Sequence, residues 1–180
     1  TIISLTEREA IIDINAKSCY DRILRPLGVV ACHRFGLPLQ ACCWLMTIME
    51  LMEHHVVTNQ QISTQSYCST PQRRLHGFGQ GSSNAPVVWL LLSSIIFLSM
   101  KEWAQGVKWD STNGATSSHR YADAFVDDTT LWNNQATDCH QIIQAMSREL
   151  HTYQDALAWT GGALSLPKCS FTLTRWQFTP

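Results

Sequence analysis

Two adjacent carboxylates, Asp127 and Asp128, stand between short apolar, β-prone runs, Tyr121–Val126 and Thr129–Trp132. Such runs read as strands, and the polar pair between them reads as the tight turn of a hairpin. A hairpin pins its turn residues in space, so both carboxylates are presented at one edge. Paired oxygens so placed suit a hard divalent cation. Asp also occupies turns for local reasons, because its side chain hydrogen-bonds nearby backbone, so a plain turn stays open as the alternative.

The elements that must position this pair follow from pattern. Ala10–Ala16 (AIIDINA) is a short β-like run with acidic and amide groups alternating among isoleucines. A helical stretch begins near Ser18, and Pro26 kinks or divides it. Pro38 opens a second helix, LQACCWLMTIMELMEHH. Polar sequence from Val56 to Arg74 predicts a loop or small hairpin, and GFGQGSSNAP then leads into an apolar helix from Pro86 to about Trp103. A polar connection, Asp110–Ser118, precedes the Asp-Asp hairpin. Gln135–Trp159 predicts a long amphipathic helix with Ile142, Ile143, Met146, Leu150, Tyr153 and Leu157 inward, ended by Gly161-Gly162. SFTLTRWQF reads as a last strand. Trp44, Trp89 and Trp159 are expected in the core. The order β, α, α, loop, α, β-hairpin, α, β suits an α+β fold with helices on one face of a mostly antiparallel sheet.

The 180 residues suit a single domain, residues 1–180, and a 45% apolar content is that of a globular chain. Net charge is -1 and the pI is near 6.6, which argues against a self-sufficient nucleic-acid binder. Seven cysteines at irregular spacings, without a CxxC pair, read as reduced thiols of an intracellular protein, cytoplasmic or nuclear. His54-His55 and Cys139-His140 lack four-ligand spacing, so structural zinc is not expected. Arg73-Arg74 reads as solvated loop. The apolar run Val87–Met100 is shorter than the roughly 20 residues of a membrane helix, so a buried core helix is expected and no membrane partner. The missing initiator Met suggests a fragment.

Three segments become informative together: NAKSCYDRI, GFGQGSSNAPVVW and FVDD. In this order they resemble motifs A, B and C of reverse transcriptases, particularly those of retroelements, where motif A reads D-A-K-x-C-Y-D-R. TGGALSLPKC resembles motif D. The resemblance covers about Ile11 to Phe171 and implies a ferredoxin-like α+β polymerase palm lacking most of the fingers and the thumb. It implies RNA-directed DNA synthesis on an RNA or DNA template with primer and dNTP. Two Mg²⁺ (or Mn²⁺) ions, roughly 3.5–4 Å apart, would stabilise the attacking and leaving oxygens.

Carried over residue by residue, the resemblance makes Asp127 and Asp128 the motif C carboxylates. Tyr20 becomes the aromatic residue under the incoming sugar. Gln80 and Gly81 become the template and nucleotide contacts, and Lys168 the general acid toward pyrophosphate. An ordinary core or solvated role remains open for Tyr20 and Lys168.

One departure stands out. The motif A carboxylate position holds Asn15, a neutral side chain offering one carbonyl oxygen and a poor bridge between two ions. Asp13 shares its strand face but is displaced by roughly 6.6 Å. Severely reduced activity is therefore expected. The rival readings are a non-catalytic remnant or scaffold keeping the palm fold, and a metal-dependent hydrolase using Asp127 and Asp128.

Overall fold

The computed structural model describes residues 8–59, 61–79, 81–111 and 113–175. The chain clusters into two compact units, one of residues 1–19 with 93–180 and one of residues 20–92.

The first unit is built on strand β1 (Glu9–Asn15). Its alternating isoleucines put Ala10, Ile12 and Ile14 on a buried face and Asp13 on the exposed one. β1 pairs antiparallel with β7 (Asp128–Asn133) on one side and with β8 (Ser170–Thr174) on the other. With β6 (Ala122–Phe125) the order is β6-β7-β1-β8, every neighbour antiparallel. The sheet's inner face lines up as cross-strand pairs: Ala10 with Asn133, Ile12 with Leu131, Ile14 with Thr129.

Helix α5 (Cys139–Trp159) covers that face with Ile142, Ala145, Met146, Tyr153 and Leu157. It starts four residues later than expected because Asp138 caps it, accepting the Gln141 N–H at 2.9 Å. The Gln141 carboxamide oxygen in turn accepts from the Thr137 hydroxyl at 2.9 Å. Its end is as the glycines imply: Gly161, at φ +91°, and Gly162 donate back to Ala158 and Leu157. Ile143 is 38% exposed and Leu150 only half-buried, whereas Glu149 is buried.

The second unit holds α1 (Cys19–Arg22, of which Cys19 belongs to the first unit), α2 (Arg25–Arg34), α3 (Leu39–Leu51) and the first part of α4 (Ala85–Met100). Pro26 divides the first helical stretch by sitting in the opening turn of α2, where its missing N–H costs nothing. The polar stretch contains a hairpin, β2 (His54–Val57) with β3 (Ile62–Tyr67).

Several expectations are corrected. The Asp110–Ser118 connection carries a hairpin, β4 (Val107–Asp110) with β5 (Ser117–Arg120). Its second strand is wholly exposed, so no apolar alternation marks it. Trp89 is buried, but Trp44 is 63% and Trp159 is 79% exposed. α4 buries only the stripe Ala85, Val88, Trp89, Leu92, Ile96 and Met100, leaving Val87, Leu90 and Leu98 exposed. No described helix is long and apolar enough to cross a membrane. β8 ends at Thr174, and residues 176–178 of the expected strand lie outside the described ones.

Two polar ties fasten α5 to the sheet. Thr129 Oγ1 and the Tyr153 hydroxyl lie 3.1 Å apart in the core. Glu149 Oε1 accepts from Asn133 Nδ2 at 2.9 Å and from the Gln105 N–H at 3.0 Å, while Oε2 is buried without a partner among the described residues. Burial pushes the Glu149 pKa up; the Gln105 and Asn133 hydrogen bonds and the Arg148 charge oppose it. A raised folded-state pKa means that the native protein holds the proton more tightly than the unfolded chain. Stability is then fullest below the ordinary carboxylate pKa and declines as pH rises through the folded-state value. Glu149→Gln should flatten that decline in urea unfolding compared between about pH 4 and about pH 7. Equal pH slopes for variant and wild type would contradict it.

Candidate active site

The carboxylate pair sits on the β6–β7 hairpin, shifted by one residue from the expected turn. Phe125 pairs with Asp128, so the two turn residues are Val126 and Asp127, and Asp128 opens β7. Asp128 also faces Asn15 across the β1–β7 ladder. The β1 end is fixed from both sides, since the Ala16 N–H donates to the Asp127 carbonyl at 2.8 Å and the Ser165 N–H to the Asn15 carbonyl at 2.9 Å.

These constraints bring three side chains together. Asn15 Nδ2 donates to Asp128 Oδ1 at 2.8 Å and to Asp127 Oδ2 at 3.3 Å. Ionised carboxylates only accept, so the Asn15 amide must turn its NH₂ toward both. The neutral side chain thus links two anions that would otherwise repel across the sheet end. Asp13 shares the exposed face but is engaged elsewhere: Thr130 Oγ1 donates to it at 2.9 Å and Ser170 Oγ at 3.2 Å. It is held two residues back along the ladder and does not substitute for a carboxylate at position 15.

Val126 was not legible in the sequence as a special position. Its φ is +57°, the left-handed region that the first residue of a tight hairpin turn can require and that glycine normally fills. A β-branched residue there is an outlier, costing about 1–3 kcal/mol, and such strain concentrates at functional sites.

Lys168 lies in a short 3-10 turn, Leu166–Lys168, whose last N–H donates to the Ser165 carbonyl at 2.8 Å. The segment is therefore tied to the Asn15 backbone through Ser165. The Lys168 ammonium itself is exposed, with no hydrogen-bond or ion-pair partner among the described residues.

Tyr20 and Gly81 belong to the second unit. Tyr20 is half-buried on α1, and its carbonyl accepts the Phe78 N–H at 2.9 Å. Gly81 has φ +94°, and a side chain there would meet nothing within 4 Å. Gln80 lies outside the described residues.

No protein-family model matches the sequence, and a search of curated proteins finds no match. Solved structures do match. Apo telomerase from Candida tropicalis, truncated from its C-terminal domain, aligns at a TM-score of 0.62 and 13% identity, over 96% of this chain and 32% of that one. The fold is reverse-transcriptase-like. Two telomerases in complex with a TWJ fragment of telomeric RNA give lower scores. That from Candida tropicalis has a TM-score of 0.49 and 10% identity, over 94% of this chain and 26% of that one. That from Candida albicans has 0.48 and 15%, over 96% and 28%. The chain thus spans about a third of the first telomerase chain it matches, and at this identity the likeness speaks for the fold alone.

Within that fold the described residues offer a limited donor set. No group of three or more His, Cys, Asp or Glu side chains among them could hold a metal ion. The sheet end offers two carboxylates and one amide. The strain at Val126 is open to measurement. Val126→Gly should raise stability or leave it unchanged, because relief of about 1–2 kcal/mol of left-handed strain outweighs the usual glycine cost of about 0.5–1. A loss above about 1 kcal/mol in urea unfolding would refute strain at this residue.

Proposed function

We propose that the chain is the palm segment of a reverse-transcriptase-like polymerase of retroelement origin. Its parent protein would synthesise DNA on an RNA or DNA template from primer and dNTP, in the cytoplasm or nucleus. The observation that carries this reading is the meeting of Asn15, Asp127 and Asp128 at one end of the β6-β7-β1-β8 sheet. The chain order β1, β6, β7, α5, β8 with that antiparallel order supports the reading of a ferredoxin-like palm with a long insertion between its first two strands. The motifs quoted above assign nucleotide and template contacts to Tyr20, Gln80 and Gly81, and proton delivery to Lys168.

Asp127 and Asp128 would hold a divalent cation, Mg²⁺ or Mn²⁺, which when bound supplies positive charge to phosphate oxygens. The donor set fits one such ion, since both carboxylates lie within hydrogen-bond reach of a single nitrogen. It does not fit a bridged pair. The side chain that would bridge two ions is neutral, and its NH₂ faces the carboxylates. Nucleotidyl transfer by this chain is accordingly weak, although the fold for it is kept. The same amide link favours the second reading, a non-catalytic scaffold, because it satisfies the pair without metal.

Asn15→Asp separates the two. In the variant, Mn²⁺ measured by isothermal titration should bind at least about tenfold tighter, equivalent to about 1.4 kcal/mol, with a second ion detectable. Mg²⁺-dependent primer extension should rise in parallel. Tighter metal binding without extension would favour the scaffold, and unchanged affinity would remove residue 15 from the metal site.

A further inference from the structure

The second unit contains a buried cation that none of the readings above uses. Arg25, in the first turn of α2, is only 3% exposed. Its Nε donates to the Gly77 carbonyl at 2.8 Å, and one terminal nitrogen donates to the Met49 carbonyl at 2.6 Å. Met49 lies in the last turn of α3, where backbone carbonyls lack helical partners and a cation is favourable. α3 has no basic residue in its own last turn, so Arg25 supplies that charge from the neighbouring helix. Burial lowers the Arg25 pKa from its ordinary value, and the nearby Glu50 charge opposes the shift. Exposed sites offer a guanidinium water freely, so a site this dry needs specific acceptors.

The other acceptor, Gly77, begins the glycine loop. The Gly77 N–H donates to the Ile23 carbonyl at 2.8 Å, and the Phe78 N–H to the Tyr20 carbonyl at 2.9 Å. A Cβ at Gly77 would come within 2.6 Å of the Asp21 backbone, and its φ is +81°. The Phe78 ring is buried against Gly28, where an added Cβ would meet it at 2.6 Å. Gly77 and Gly28 are therefore glycines for want of space. Gly79 and Gly81 differ: both have positive φ, and an added Cβ at either would meet nothing within 4 Å. The loop has a fastened base, and the Ser82 N–H donates to the Gly79 carbonyl at 3.1 Å.

We infer that Arg25 is a positioning residue that seats the glycine loop, so that the open backbone at Gly79 and Gly81 is presented to a nucleic-acid strand. The strand's identity rests on the proposed polymerase reading; the seating does not. Guanidinium suits this task because its planar fork reaches two carbonyls on different elements at once. A lysine ammonium on a flexible stem holds one geometry less well. Gly79 and Gly81 give a phosphate or base close approach to backbone N–H groups, which any side chain would obstruct.

The test compares wild type, Arg25→Lys and Arg25→Met by hydrogen exchange and by anisotropy with a fluorescein-labelled RNA–DNA hybrid at fixed salt. Exchange of the amides from Gly77 to Ser82 should rise roughly tenfold in Arg25→Met and less in Arg25→Lys, with α4 amides unchanged. Hybrid affinity should fall in the same order. A uniform rise across α3 and α4, or no rise at the loop, would overturn the assignment. If Arg25→Met does not fold, the Arg25→Lys comparison decides by the same criterion. If the wild type does not bind the hybrid, the nucleic-acid reading and the loop's presentation to a strand both fail, and the exchange pattern decides the seating alone.

Discussion

The first unit depends on the pleat of β1 being held in one register. Successive side chains of a strand face opposite ways, so Ala10, Ile12 and Ile14 enter the core under α5 only if Asp13 and Asn15 stand on the other face. A slip of one residue would exchange the sets and bury a carboxylate and an amide among Ile142, Met146 and Leu157. Each unpaired polar group so buried costs about 1–3 kcal/mol or more. β1 is secured against that slip by ladders on both edges, with β7 and with β8. The position of Asn15 against Asp128 is thus a consequence of core packing several residues away.

Given that position, residue type decides what the sheet end can do. Three carboxylates in mutual contact would repel, by about 4 kcal/mol for each pair at 4 Å and an effective dielectric near 20, unless a cation lay among them. An amide removes one charge and adds donors. Asn15 therefore gives the two carboxylates a shared donor from within the chain rather than a third charge.

Much of this was visible in the residues, and the rest was hidden for identifiable reasons. β1, α5 and the β6–β7 hairpin carry clear periodicity, and the four motifs pointed to a reverse-transcriptase-like fold. The turn was misplaced by one residue because Val126 is a poor turn former; only the ladder register, Phe125 against Asp128, puts it there. β5 was invisible because its sequence, SSHR, buries nothing and is held by backbone bonds to β4. Trp44 and Trp159 misled because helical spacing shows that a face exists and not whether anything covers it. Arg25 gave no local signal, since both its acceptors are carbonyls distant in sequence.

The two units secure their candidate functional edges by different devices. In the first, a continuous ladder and a strained Val126 hold the carboxylates; in the second, one buried guanidinium and two space-limited glycines hold the loop. Both devices are costly to folding, through left-handed strain in one and desolvated charge in the other. Neither is needed for the packing of α5 on the sheet. Both devices fix backbone positions, Asp128 opposite Asn15 at the sheet end and Gly77 at the loop base. The ladder fixes where residue 15 stands, and its residue type then decides whether it meets Asp127 and Asp128 as a donor or as a third charge.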